Sequence, residues 1–269
     1  MIKYKLDNGI EIDVPECVDD LKLDTYLTII QYIGEGLFDG MDRIDASFFL
    51  LKQYIDYPLD EISLREYNDL IEIVGKIDLM NIELKNINKV LNINGVDYTI
   101  KNSFDELTFG EVFVIKQMII TMKEWEYIPL ILPVLLRPSK KVKLDEFNIY
   151  RYDLVDFNMD DIQYRSKLII DRKVGEVLWI IKSYLEWEVN ISKRFENLYN
   201  RKELSEKVNG PQTIKIHPKW GMIGMLEALT GGDISKNDIV SKINYIECLT
   251  ILSFRDIQDD YYNKINKNK

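Results

Sequence analysis

The sequence predicts a mainly α fold with small β-hairpins (α+β class), in which hairpin-helix units are internally repeated and a helical bundle follows. Three observations predict it. An Asn-Gly pair stands twice between short alternating apolar runs; helix-start signatures follow each pair; and apolar residues recur at three- and four-residue spacing through the second half. An apolar fraction of 46% in 269 residues is ample for a packed core.

Residues 6–30 overlie residues 92–116 with a constant shift of 86 and no gaps. Gly9 falls on Gly95, Ile10, Ile12 and Val14 on Val96, Tyr98 and Ile100, and Val18, Leu21, Leu23, Tyr26 and Ile29 on Phe104, Leu107, Phe109, Val112 and Ile115. In both copies Asn-Gly reads as a type I′ turn, which needs positive φ at both residues. Two isolated strands are marginal in water, so the hairpins are expected to pack on helices or to pair with each other in one small sheet.

Helix starts follow. Thr108-Phe109-Gly110-Glu111 reads as a capping box, in which hydroxyl and carboxylate each satisfy an orphan backbone N–H, with Leu107 and Val112 as hydrophobic staple. That helix should run to about Lys123. Ser63-Leu64-Arg65-Glu66 repeats the device between Ile62 and Tyr67, and a weaker copy has Lys22 at the cap position, flanked by Leu21 and Tyr26. Gly34-Glu35-Gly36 with Gly40 then reads as a helix C-cap.

In the middle third, Ile128 to Arg137 is predicted to be a short buried helix that stops before Pro138. Val174, Val177, Leu178, Ile181, Leu185 and Val189 predict one long amphipathic helix from about Met159 to Tyr199. Residues 201–219 are polar and contain Asn209-Gly210-Pro211, a linker with a short strand around Ile214 to Ile216. A helix over Trp220 to Leu229, broken by Gly231-Gly232, and a second from Ser235 towards Asp260, stapled by Ile234 and Ile239, make a C-terminal helical hairpin. Tyr261 to Lys269 is expected to fray or to engage a partner. The organisation expected is therefore 1–90 (first hairpin plus helices, acidic), 91–200 (second hairpin plus helices), 201–219 (linker) and 220–269.

Net charge is −10, and residues 1–90 carry 19 acidic and 9 basic side chains, which leaves 26 of each in the remainder. The entire excess sits in the first third, a surface that repels a phosphate backbone, so nucleic acid is not expected as a partner. The one basic cluster, Arg137-Pro138-Ser139-Lys140-Lys141-Val142-Lys143, reads as a solvated loop. Cys17 and Cys248 are too far apart in sequence to imply a disulfide framework or a thiolate metal site, which points to a reducing compartment. The N-terminal residues have no apolar signal core, and the longest apolar run, Tyr127 to Leu136, contains two prolines and is too short for a bilayer.

No residue set for catalysis, cofactor binding or metal ligation stands out. His217 is the one histidine and precedes Pro218 in the linker. Thr230-Gly231-Gly232-Asp233 lacks the lysine a phosphate loop needs, and Asp39, Asp42 and Asp45 imitate a calcium loop but have Leu50 where a bidentate carboxylate belongs. Carboxylate pairs such as Asp19 with Asp20, or Asp160 with Asp161, match the minimum for a hydrolase, yet chance supplies such pairs among 45 acids. The candidate interaction residues are Trp220, Met222, Ile223 and Met225, which offer an adaptable apolar surface if they are not core.

Asp19-Asp20-Leu21-Lys22-Leu23, Asp105-Glu106-Leu107-Thr108-Phe109-Gly110-Glu111, Lys219-Trp220-Gly221-Met222, Gly231-Gly232-Asp233-Ile234 and Leu249-Thr250-Ile251-Leu252-Ser253-Phe254 together carry a resemblance. The chain resembles a family of uncharacterised structural and assembly proteins of Bacteroidetes tailed phages, crAss-like phages and their relatives. The resemblance implies a non-enzymatic virion or tail-assembly protein that binds other phage structural proteins, with self-association as a homo-oligomer admitted. It places the chain in the host cytoplasm during assembly and, if retained, in the virion, with no membrane partner. The competing readings are an acidic cytosolic regulatory adaptor and, behind it, a carboxylate-based hydrolase.

Overall fold

A computed structural model describes residues 1–41, 43–79, 90–143, 150–199 and 218–267. Strands β1 (Ile2–Lys5) and β2 (Glu11–Val14) pair antiparallel with Tyr4 opposite Ile12 and Ile2 opposite Val14. The turn between them is not type I′. Gly9 N–H donates to the Leu6 carbonyl and Leu6 N–H to the Ile10 carbonyl, both at 2.8 Å, and in this loop the positive φ falls on Gly9 (+86°). This is a type I turn closed by a glycine bulge. The cause is register: a two-residue turn at Asn8-Gly9 would set Ile12 against Lys5 and Val14 against Lys3, whereas one extra loop residue sets apolar against apolar. At the second site, β3 (Val90–Ile93) and β4 (Val96–Thr99) do meet through the expected two-residue turn, with Asn94 at φ +52° and Gly95 at φ +81°.

After the first hairpin a 3-10 turn (Val18–Asp20) leads into α1 (Leu23–Gly34). Its end is the glycine cap that the sequence predicts, since Gly36 at φ +66° lets Leu37 N–H reach back to the Tyr32 carbonyl at 3.0 Å. Helices α2 (Arg43–Tyr54) and α3 (Leu64–Val74) follow. A 3-10 turn at Phe104–Glu106 and α4 (Phe109–Thr121) begin 86 residues after their counterparts. Helix α5 (Glu124–Leu135) then crosses the core with Pro129 and Pro133 inside it.

The basic cluster is not a solvated loop. Residues Arg137–Lys143 form β5, which pairs with β4 on one side and with β6 (Tyr150–Leu154) on the other, giving a four-stranded antiparallel meander β3-β4-β5-β6. The two hairpins do not pair with each other: β1-β2 remains a separate two-stranded sheet that rests on α3.

Two expected continuous helices are each broken. Residues 162–194 divide into α6 (Ile162–Ile169) and α7 (Val174–Arg194), followed by the short α8 (Glu196–Tyr199). After α9 (Pro218–Thr230), the second C-terminal helix divides into α10 (Asn237–Ser241) and α11 (Tyr245–Lys267). The expected cap Ser235 and staple are absent, since Asp233 accepts the Ser235 N–H at 3.1 Å and Ile234 and Ile239 are both exposed.

Both breaks have one cause. Leu23 N–H donates to the Arg172 carbonyl and Val174 N–H to the Leu21 carbonyl, each at 2.8 Å. Phe109 N–H donates to the Ile243 carbonyl (2.8 Å) and Tyr245 N–H to the Leu107 carbonyl (2.9 Å). The leading N–H groups of a helix have no acceptor within it. Here helix starts are paired, α1 with α7 and α4 with α11, through bridges Lys22 to Lys173 and Thr108 to Asn244. A residue held extended in such a bridge cannot also continue a helix, so a new helix begins just after it.

The main core runs from Val18 to Leu249 and takes side chains from both sides of residue 90 and of the linker, including Leu23, Phe109, Ile131, Val177, Tyr184 and Tyr245. A smaller core lies under the first hairpin, where Leu6, Ile12 and Val14 meet Leu51, Ile55, Leu70 and Val74. Tyr54 and Ile77 pack against both clusters, and burial pushes the Tyr54 hydroxyl up to about 12.

Candidate interaction surface

The charged groups that burial concentrates are structural in geometry. Glu111, at the third position of α4, is 1% exposed. Its Oε2 accepts the Thr108 N–H (2.7 Å) and Lys101 Nζ (2.8 Å), and its Oε1 accepts Arg137 Nη2 (2.8 Å). The Thr108 hydroxyl accepts the Glu111 N–H at 3.3 Å, completing the capping box. One carboxylate thereby ties a helix start to β5 and to the segment after β4. Desolvation lowers the Arg137 pKa, with Glu111 opposing that shift and Arg165 adding to it. Arg165 is itself buried and paired to Asp161 at 2.6 Å.

Glu66 plays a similar part at α3. It accepts the Asp7 N–H at 2.6 Å and the Ser63 N–H at 2.7 Å. Its pKa is held below the usual carboxylate range by the Ser63 side chain first and then by these two amides. The first hairpin loop is thus fastened to a helix cap, a use of Glu66 that the capping-box reading does not foresee.

One carboxylate of each pair that the sequence singles out faces a cation. Asp161 binds Arg165, and Asp160 N–H donates to the Asn158 side chain. Asp20 accepts the Glu16 N–H and faces Lys173 at 3.8 Å. Among the described residues no three His, Cys, Asp or Glu side chains are grouped to hold a metal ion, and no helix is long and apolar enough to cross a membrane. His217, Asp42 and the strand expected at Ile214 to Ile216 lie outside the described residues.

Cys248 is 0% exposed, and burial pushes its thiol up to about 11, so it remains protonated at neutral pH. Cys17 is partly exposed. Under native conditions iodoacetamide is therefore expected to label Cys17 and to leave Cys248 unmodified until denaturant is added, as peptide mass mapping would show. Rapid native labelling of Cys248 would contradict its burial.

Of the four candidate interaction residues, Met222 is buried and Met225 packs against the main core, as do Leu226 and Leu229 one turn on. That is the inward stripe of α9, at the spacing of one helix face. Ile223 is 37% exposed and points away from this stripe, and the Trp220 side chain lies outside the described residues. The four do not form one exposed surface.

A surface of that kind occurs on α11 instead. Its first turns bury Tyr245, Cys248, Leu249 and Leu252. On the opposite side Ile251 (37%), Phe254 (66%), Ile257 (63%), Tyr261 (62%) and Ile265 (38%) are exposed, with Tyr262 (54%) beside them. Their spacing of three and four residues makes one continuous apolar stripe. The segment expected to fray or to meet a partner is helical to Lys267. Asp256 and Asp259 lie off the stripe, and Asn197 on α8 anchors this helix through Asp256 and Ser253, each at 3.2 Å. The signal was present in the sequence as three- and four-residue spacing, but α11 contains two apolar stripes, and only packing shows which one is covered.

No protein-family profile, no curated protein and no solved structure matches this chain.

Proposed function

We propose that this chain is a non-enzymatic protein that acts by docking onto other proteins, in the setting of a phage virion or tail assembly. The observation that carries the docking reading is the outer stripe of α11, since contiguous apolar patches beyond a few hundred Å2 on a soluble protein mark interaction sites. The phage setting is supported by the sequence resemblance. The adaptor reading rests on the acidic first third, but several of those acids are used internally: Glu66 caps α3, Asp13 pairs with Lys3 at 2.6 Å and Asp20 faces Lys173.

The test is affinity capture of the tagged full chain from infected cells, with mass spectrometry of the captured proteins. The parent chain is expected to retain virion or tail proteins, and the double variant Phe254→Asp, Tyr261→Asp is expected to lose them. Equal retention by both would remove α11 as the docking element, and capture of no particle protein would overturn the phage setting.

A further inference from the structure

We infer that the outer stripe of α11 pairs with the same stripe of a second copy of this chain, antiparallel, about a two-fold axis at Gln258. The inference rests on the docking reading and names its partner.

The stripe has a heptad seam: Ile251, Phe254, Gln258, Tyr261 and Ile265 succeed one another at spacings of three, four, three and four. Read from either end, the seam has the same chemistry: aliphatic, aromatic, amide, aromatic, aliphatic. An interface between two identical copies about a two-fold axis must be self-complementary. With the helices antiparallel and Gln258 on the axis, Ile251 lies level with the partner's Ile265, and Phe254 lies level with the partner's Tyr262 and one residue from the partner's Tyr261. Gln258 meets its own equivalent, and two amides can each donate and accept there. A polar residue at one core position of such a seam sets register at some cost in stability. A parallel pairing would also be apolar but would not use this symmetry, since it sets each residue on itself whatever the order.

Size and charge agree. Phe254, Tyr261 and Tyr262, of roughly 200 Å2 each, are only partly exposed, and with the exposed part of the three isoleucines they offer on the order of 600 Å2 per copy. Two copies would bury up to roughly 1,200 Å2, at the lower end of the range of stable interfaces. A chain of net charge −10 can approach itself only if its acids stay off the contact, and Asp256 and Asp259 do. The same balance disfavours an anionic lipid surface, which amphipathic helices bind through lysine and arginine.

Sedimentation velocity of the full chain over a range of concentrations should show a species of twice 31.8 kDa. Phe254→Asp should weaken it by at least ~30-fold, as expected for a central aromatic contact. Because Phe254 is exposed, far-ultraviolet circular dichroism of that variant should be unchanged, and Tyr261→Glu serves as a second variant should it not be. In a Cys17→Ser background, mixed Ile251→Cys and Ile265→Cys chains should form a heterodisulfide under mild oxidation, while neither variant alone should form a homodisulfide. A monomer at every concentration, a dimer indifferent to both charge substitutions, or homodisulfides at position 251 would overturn the inference. So would a monomer that cosediments with vesicles of phosphatidylcholine and phosphatidylglycerol. A monomer that still captures particle proteins through α11 would sink the pairing alone and leave the docking reading intact.

Discussion

Glu111→Ala is expected to destabilise the fold by about 3–5 kcal/mol, read as a lower urea midpoint with an unchanged slope. The carboxylate is buried and accepts one backbone N–H, one lysine and one arginine. Removing it leaves Arg137, 3% exposed, as an uncompensated buried cation and deprives α4 of its reciprocal cap. The double variant Glu111→Ala, Arg137→Met should recover part of the loss, because the buried cation goes with its partner. If the single and double variants were equally destabilised, the ion pair would be irrelevant and the cap alone would account for the effect.

Gly110→Ala and Gly175→Ala should each be destabilising by about 1–3 kcal/mol, the cost of forcing a carbon into a packed contact. That sign opposes helix propensity, which by itself favours alanine over glycine by about 1 kcal/mol. Each glycine is the second residue of its helix, α4 or α7, at one of the two paired helix starts. A Cβ on Gly110 would stand 2.9 Å from the Ser241 carbonyl oxygen, and one on Gly175 would stand 2.8 Å from the Asp19 Cβ. In both cases the obstacle is backbone or the root of a side chain, which cannot swing away. Gly221 in α9 is the control, because its Cβ direction is open, so Gly221→Ala should be neutral or stabilising. Stabilisation at all three sites would mean that the helix starts are not closely paired.

Much of the fold was legible where short-range forces decide. The capping boxes at Ser63-Glu66 and Thr108-Glu111 and the left-handed Asn94-Gly95 turn appear as read. Lys22 reads as a weak cap position, and α1 begins directly after it with no side-chain cap hydrogen bond. The candidate interaction residues were less legible, because Met222, Met225 and Phe254 have the same apolar signature in sequence and differ in which neighbour covers them.

By itself the sequence determined the class, mainly helical with small hairpins, together with the starts of α1, α3 and α4 and how the second hairpin turns. These depend on steric limits and hydrogen bonds spanning a few residues. Only the tertiary structure decided that α6 parts from α7 and α10 from α11, that Arg137 to Lys143 joins a sheet, and which face of α11 meets solvent. Each of those outcomes depends on a segment distant in sequence that supplies a carbonyl, a strand edge or a covering side chain, and local patterning carries no record of that supply.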